Sequence, residues 1–206
     1  SSYRGIRFGF RGSAGGAYKA YLLLPLLTLL TFCLLTPFTH QRIKRFQHKE
    51  SRFGASYFSF EGSVGKFYKT YLIGFAIYVA GLVAIAAAFG GTAIIFPQHP
   101  LGAQHVFSFV LWLLAIYAWT FMMYPLFLTL LQNLIWDNTR LGENRFRSRM
   151  RWPRMALIAL TNVIGIVCTL GLFIPFAQIR MLRYRIESMQ LITAESLDKF
   201  VSSNEA

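Results

Sequence analysis

The stretches "LTPFTHQRIKRF" (35–46) and "FIPFAQIRMLRY" (173–184) share one pattern, and that pattern decides the fold. Each closes an apolar run with Pro-Phe, then places arginine at the fifth and eighth positions after the proline, followed by an aromatic ring. Basic residues also precede both apolar runs. Because positive charge usually collects on one side of a membrane-spanning segment, basic residues at both ends require an explanation.

The composition is that of an integral membrane protein. Of the 206 residues, 55% are hydrophobic and only 14% are charged, about half the charged fraction of a soluble domain, and the mean hydropathy is +0.45. Three runs contain no Lys, Arg, Asp or Glu: 20–41, 70–136 and 155–179. A spanning helix needs about 20 apolar residues, so the middle run can hold two helices. We therefore expect an all-α membrane protein with four apolar helical segments.

The positive charge is arranged around these runs. The net charge of +13 comes from 21 basic residues in four clusters that flank the apolar runs, whereas the segment 97–106 has none. Basic flanks are typical of cytoplasmic loops and meet anionic lipid headgroups. The pattern therefore indicates a multi-pass protein with cytoplasmic basic loops, whose partners are membrane lipids or other membrane subunits, and not nucleic acid.

Two topologies can be compared by counting basic residues. Four ordinary spans would place 8 basic residues on one side and 13 on the other. If 18–38 and 155–177 instead re-enter on the side they left, all 21 are cytoplasmic and only 68–134 crosses, as two helices at about 68–96 and 106–134. Prolines and glycines in the outer runs favour the re-entrant alternative, whereas the length of these runs also suits plain spans. Both alternatives stay open.

Internal similarity predicts repeated units. "RFGFRGSAGGAYKAYL" (7–22) matches "YFSFEGSVGKFYKTYL" (57–72), and "RFGASYF" (52–58) parallels "RLGENRF" (140–146). Fixed spacing of this kind is typical of repeat architectures. We expect one membrane domain at 1–189, with units at about 3–50, 51–136 and 137–189, and then a polar tail at 190–206.

Period-two alternation predicts a short strand at the membrane surface in each unit. An alternating strand presents aromatic rings to one side and guanidinium groups to the other. The alternation is clearest where four arginines follow one another at every second position. These four and the arginines of the two opening stretches are the expected lipid-phosphate contacts: Arg145, Arg147, Arg149, Arg151, Arg42, Arg45, Arg180 and Arg183.

The sequence contains no arrangement typical of an enzyme. The eight acidic residues lie in flanks and tail, with no nucleophile and base beside them. His99 and His105 are too isolated from carboxylates and thiolates to predict a metal, so no cofactor is expected. Cys33 and Cys168 lie inside apolar runs, which predicts free buried thiols.

Uncharged polar residues inside the apolar runs are the remaining candidates. Gln132, Asn133 and Asn162 either line a polar path or make hydrogen bonds between helices. Because the runs hold no ionisable group besides the thiols, an ion-coupled mechanism is disfavoured. We expect a transport-like or channel-like role for a small solute or amphiphile; the alternative is a structural or lipid-binding protein, or a subunit of a larger complex. A stripe of alanines, Ala76, Ala80, Ala84 and Ala88, predicts close helix packing.

Four stretches carry a resemblance to a known family: YRGIRFGFRG (3–12), NLIWDNT (133–139), TNVIGIVCTLGLFIPFAQIRMLRY (161–184) and ITAESLDKF (192–200). Over nearly its whole length the chain resembles the YjgN family of bacterial inner-membrane proteins, which is built on a domain of unknown function. The resemblance implies an inner-membrane location and repeated units, and it supplies no activity. Family members usually carry one further unit before the YRG stretch, so the resemblance also implies that a first unit is missing here. Phe38 and Phe176 stand where family members often have tryptophan.

Overall fold

Helical pairs and short strands alternate along the chain. A computed structural model describes residues 2–3, 6–54, 56–89 and 103–193; His99 and most of the predicted tail lie outside these residues. The strands are β1 (Ser2–Tyr3), β2 (Ile6–Phe10), β3 (Ser51–Phe53), β4 (Ser56–Phe60), β5 (Thr139–Leu141), β6 (Asn144–Ser148) and β7 (Met189–Ile192). The helices are α1 (Ala14–Leu30), α2 (Thr36–Lys49), α3 (Val64–Ala88), α4 (Ala103–Asp137), α5 (Trp152–Cys168) and α6 (Ile174–Glu187).

The chain divides into two compact units. The first comprises Ser1–Thr70, Leu130–Met150 and Gln178–Ala206, and the second comprises Tyr71–Thr129 and Arg151–Ala177. The first unit contains every described strand together with α1 and α2. The second contains most of α3 and α4 and all of α5.

The seven strands form one antiparallel sheet in which each strand pairs with the next along the chain. Three pairings have equivalent registers, since Phe10 lies opposite Ser51, Phe60 opposite Thr139 and Ser148 opposite Met189. One residue beyond each of these pairs, a further backbone hydrogen bond joins the residue at which the chain leaves the sheet to the residue at which it returns. We call these the closing hydrogen bonds: Arg11 N to Glu50 O (3.0 Å), Glu61 N to Asn138 O (2.9 Å) and Arg149 N to Ser188 O (2.9 Å).

Helices α1 and α2 form an antiparallel hairpin. The Thr28 and Thr39 hydroxyls lie 2.6 Å apart, and Gln47 Nε2 donates to the Tyr21 hydroxyl at 2.8 Å. Lys19–Leu23 forms a π-helical turn within α1. That turn directly precedes Pro25, whose ring would clash with the carbonyl four residues back in a regular helix.

Helices α5 and α6 form a second hairpin of the same kind. Asn162 Nδ2 donates to Ala177 O at 3.1 Å, and the Gly165 Cα packs against the Phe173 ring, where a Cβ would approach within 2.7 Å. The chain turns at 169–173, where Leu170 has φ 50° and Gly171 has φ 94°.

The Pro-Phe motif of each opening stretch begins the second helix of a hairpin. Pro37 and Pro175 lie in the first turn of α2 and α6, where a missing N–H costs nothing. In the first hairpin the preceding turn is made by Phe32 and Cys33, with φ of 49° and 65°. Non-glycine residues rarely adopt these angles, so the sequence carries no signal for the position of this turn.

Helices α3 and α4 are the long apolar helices of the chain. α3 and the part of α4 from Val106 to Asp137 are long and apolar enough to cross a membrane. α3 begins four residues earlier than predicted, and α4 continues three residues further. Pro125 lies inside α4 without ending it. The helices Ala14–Leu30 and Trp152–Cys168 are shorter.

The contact between α3 and α4 lies in the second unit and uses glycines. Gly74 packs against Phe127, and Gly81 packs against Trp119, whose indole Nε1 donates to Tyr78 O at 3.0 Å. The predicted alanine stripe is exposed along its whole length in this chain, so the prediction that it packs against a neighbouring helix is wrong within the described residues. Both cysteines are free as predicted, but they are exposed near the hairpin turns and not buried.

A valine at Gly81 should destabilise the protein. A Cβ added there would overlap the Trp119 indole, which is held by its hydrogen bond to Tyr78. We expect Gly81→Val to lower the free energy of unfolding by about 1–3 kcal/mol, as overpacking typically does. Thermal unfolding in detergent measures this loss. Ala84→Val is the matched control, because Ala84 is exposed on the same helix; an equal loss in both variants would contradict the packing assignment.

Candidate functional site

The sheet has an aromatic face and a basic face, as the alternation predicted. Phe146 of β6 stacks on Phe58 at a centroid distance of 6.1 Å and meets Trp136 at 5.2 Å. Arg145 and Arg147 alternate with it and are exposed. The strand ends at Ser148, so Arg149 and Arg151 lie just beyond it, and both are exposed.

The other predicted lipid-contacting arginines lie on α2 and α6: Arg42, Arg45, Arg180 and Arg183. All four are exposed. Arg42 lies 5.0 Å from the centre of the Phe38 ring, and Arg183 forms an ion pair with Glu187 at 2.7 Å. These contacts leave the guanidinium groups accessible from outside the protein.

Asn133 connects α4 to the segment after β6. Its Oδ1 accepts hydrogen bonds from Ser148 Oγ at 2.7 Å and Met150 N at 3.0 Å, and its Nδ2 donates to Met150 O at 3.0 Å. Asp137, one turn later on α4, accepts from Ser148 N at 2.8 Å. The Asn133 amide is therefore engaged in holding this segment in place.

The other two polar candidates are also engaged. Gln132 is 5% exposed, and its Oε1 accepts from Arg185 Nε at 3.2 Å and Nη2 at 2.9 Å. Asn162 is 4% exposed and bonds across the second hairpin to Ala177. Gln132 and Asn133 belong to the first compact unit and Asn162 to the second.

A cluster on α2 was missed in the sequence. His40, Lys44 and His48 recur at every fourth residue, so they lie on one face of the helix. His48 stacks on Phe60 at 5.4 Å and meets Trp136 at 6.0 Å, while His40 meets Phe67 edge-on at 5.4 Å. The sequence signal for this cluster is the i, i+4, i+8 spacing, but basic residues beside an apolar run are also typical of a plain loop.

The two histidines of this cluster favour their neutral forms. Burial lowers the pKa of His40 from 6.5 to about 4, and the Lys44 charge adds to this effect. Burial also lowers the pKa of His48, although its hydrogen bond to the Lys44 carbonyl opposes the shift. That bond, 2.7 Å long, requires Nδ1 of His48 to carry the proton, because a carbonyl only accepts.

Lys44 is the charged member of the cluster. Its ammonium donates to Gln47 Oε1 at 3.1 Å. Burial lowers its pKa, and the nearby Arg185 guanidinium lowers it further. The arrangement therefore gathers positive charge beside aromatic rings. Within the described residues no group of three His, Cys, Asp or Glu side chains is placed to hold a metal ion.

These features define a class of protein and then a family. The two long apolar helices indicate an α-helical membrane protein that also carries a small antiparallel sheet. The chain belongs to a family described as "Bacterial protein of unknown function (DUF898)", whose model matches residues 1–206. This agrees with the resemblance to the YjgN family. Neither a curated protein nor a solved structure matches the chain.

Stability should fall as the pH is lowered through the range set by His40. The folded protein keeps His40 neutral down to about pH 4, whereas the unfolded chain protonates it from 6.5. The unfolded state therefore binds more protons in this window, and stability is lost as the pH falls from 6.5 towards 4. Melting temperatures measured across that range should show the loss.

His40→Gln should flatten this pH dependence while His48 maintains part of it. The informative quantity is the slope of melting temperature against pH, since the substitution also changes packing on Phe67. An unchanged slope in His40→Gln would show that His40 is not the titrating group.

Proposed function

We propose that this protein is a non-enzymatic, lipid-binding structural protein of the bacterial inner membrane. It has three repeated units, of which the middle one crosses the bilayer and the outer two insert helical hairpins into the cytoplasmic leaflet. The observation that carries this proposal is the set of closing hydrogen bonds. The described residues give no observation that favours the other candidate, a transport-like role.

The closing hydrogen bonds support the placement of all the basic flanking segments on one side of the membrane. In each unit the residue that leaves the sheet and the residue that returns are joined by a bond of 2.9–3.0 Å. Paired strands must lie outside the hydrocarbon, because an open sheet edge is not tolerated within it. Each helical excursion therefore starts and ends on one side, and the basic clusters next to these strands lie together on the cytoplasmic side.

The second helix of the first hairpin supports re-entry. Six residues separate Thr36, where α2 begins, from the exposed Arg42, a distance of about 9 Å along a helix. One leaflet contributes about 15 Å of hydrocarbon. Leu34, in the hairpin turn, accepts a hydrogen bond from the Tyr68 hydroxyl at 3.2 Å. Tyr68 is only four residues, or about 6 Å, into α3, so the turn lies near the beginning of that helix.

The second hairpin has the same dimensions. Six residues separate Ile174, where α6 begins, from the exposed Arg180, again about 9 Å. By contrast, the 25 residues of α3 extend about 38 Å, more than the hydrocarbon core.

The hairpin turns have the surface that a leaflet interior requires. Phe32 and Leu34 are 92% and 75% exposed, and Leu170 and Leu172 are 95% and 81% exposed. Large apolar side chains exposed together are unfavourable in water and mark contact with lipid or protein. Insertion into lipid removes this cost.

The exposed arginines supply the headgroup contacts. Arg145, Arg147 and Arg149 lie in or next to β6 and point away from the aromatic face. A basic side chain near an anionic membrane surface contributes about 1 kcal/mol of binding. Anionic phospholipids are therefore the proposed partners, and other membrane subunits are compatible with the same surface.

The polar candidates support a structural role over a polar path. Gln132, Asn133 and Asn162 each bond to another part of the protein. Amide side chains that serve transport would present these groups to a solute. Gln132 and Asn162 are buried, and each bonds to α6, which is a common role of amide side chains between membrane helices.

Cysteine labelling tests the proposed topology. In a variant with Cys33→Ser and Cys168→Ser, single cysteines replace Ser59, His99 or Gln190 in turn; Ser59 and Gln190 are exposed on strands β4 and β7. A membrane-impermeant thiol reagent applied to intact bacteria should label only position 99. Positions 59 and 190 should react after permeabilisation, which controls for folding and access.

Four plain spans would give a different pattern. They place positions 59 and 190 on opposite sides of the membrane, so one of the two would react in intact cells. That result would refute the re-entrant hairpins and with them the proposed function.

Lipid retention tests the proposed role of the basic face. We expect replacement of Arg145, Arg147 and Arg149 by Gln to reduce the phosphatidylglycerol that copurifies in mild detergent, because the headgroup contacts are lost. Replacement of the same three by Lys, which preserves the charge, should retain most of it. Arg151 is kept because it begins α5 as its N-cap residue. Equal retention in both variants would contradict the role of this face.

A further inference from the structure

Lys44 and Arg185 are two partly buried cations that lie close together without a carboxylate. Arg140 pairs with Glu61 and Arg183 pairs with Glu187. Among the described residues, no acidic side chain lies within ion-pair distance of Lys44 or Arg185. Both residues belong to the first compact unit, together with the groups that position them.

The aromatic contact of α2 with α4 brings the two cations together. The His48 ring meets the Trp136 ring at 6.0 Å. Lys44 lies one turn before His48, and Gln132 lies one turn before Trp136. Gln132 in turn holds Arg185 by two hydrogen bonds of 3.2 and 2.9 Å to the same oxygen. Because α2 and α4 both run towards the sheet, Lys44, Gln132 and Arg185 lie on one side of this contact.

Both cations keep donors that the described contacts do not use. Arg185 gives Nε and Nη2 to Gln132, which leaves Nη1 and its two N–H groups. Lys44 gives one N–H to Gln47, which leaves two. Gln132 also fixes the plane of the guanidinium group, so its remaining donors have a defined direction.

An anion would compensate the positive charge of this pair. Two like charges that are partly withdrawn from water repel each other, and the depressed pKa of Lys44 reflects both burial and the Arg185 charge. Such a pair is unfavourable unless an opposite charge compensates it. An oxyanion can accept from a guanidinium group and an ammonium group at once.

We propose that Lys44 and Arg185 bind one phosphate group between them, and that its source is the headgroup of an anionic phospholipid. The lipid source rests on the proposed function, whereas the phosphate site rests on the contacts that position the two cations. Gln132 positions Arg185, and Gln47 positions Lys44. The site is distinct from the exposed arginine face, because its cations are partly buried and held by amide side chains.

The proposal predicts opposite effects on two quantities. Lys44→Gln should raise the melting temperature of the delipidated protein, because it removes the repulsion with Arg185. The same variant should weaken stabilisation by short-chain phosphatidylglycerol, with a half-saturating concentration about tenfold or more higher, the usual effect of losing a charge-assisted hydrogen bond. Lys49→Gln, an exposed lysine on the same helix, should change neither quantity.

A second variant guards against a general folding defect. Gln132→Glu is nearly isosteric and supplies Arg185 with an internal carboxylate. We expect it too to raise the melting temperature without lipid and to reduce stabilisation by phosphatidylglycerol. A lower melting temperature without lipid in both variants would show that the cations serve a structural role and would overturn the proposal.

Further ligands identify the source of the phosphate. Short-chain diacylglycerol, which lacks the phosphate, should not raise the melting temperature of the parent, and inorganic phosphate should do so only weakly. Equal stabilisation by inorganic phosphate and phosphatidylglycerol would overturn the lipid source, and equal stabilisation by diacylglycerol would overturn the phosphate site. These measurements are made in detergent, so they report on the site even if cysteine labelling refutes the proposed topology.

Discussion

Backbone pairing between the strands on either side of each helical excursion is the constraint on which the rest of this structure depends. A strand buried in hydrocarbon would leave amide and carbonyl groups unpaired, at a cost of several kcal/mol each. The sheet must therefore lie in a polar environment, and every segment that departs from it must come back. The closing bonds at Arg11, Glu61 and Arg149 repeat this requirement three times. Helix length then limits each excursion, because α3 is long and apolar enough to cross a bilayer and Ala14–Leu30 is shorter.

Much of this arrangement could be predicted from local patterns. Prolines and glycines in the outer apolar runs favoured re-entrant hairpins without excluding plain spans, and period-two alternation predicted a strand with Phe146 on one face and Arg147 on the other. Such patterns repeat over a few residues, so they can be recognised without knowledge of the tertiary structure. The hairpin turns were not predicted, because Phe32 and Leu170 adopt left-handed backbone angles that their side chains disfavour. Only the surrounding packing determines such angles.

The candidate site shows the same division between local and tertiary information. Gln132 was identified correctly as a buried polar residue, since an amide in an apolar run is costly without a partner. Its partner Arg185 lies 53 residues away and could not be inferred from spacing. Helix packing shows a related limit, because alanines and glycines look equivalent as small residues. The structure selects Gly74 and Gly81 only because Phe127 and Trp119 lie opposite them.

The short outer hairpins of the proposed topology have a consequence for how the chain is made. A segment that returns to the side it left carries no polar residues across the bilayer, so its insertion avoids the free-energy cost of moving charge through lipid. In that topology only the middle pair crosses to the far side, and residues 90–102, between the two long helices, contain no Asp, Glu, Lys or Arg. Each unit also completes its backbone pairing when the strand that follows its helices is synthesised. The sheet of the nascent protein can therefore form step by step, in the order in which its strands are translated.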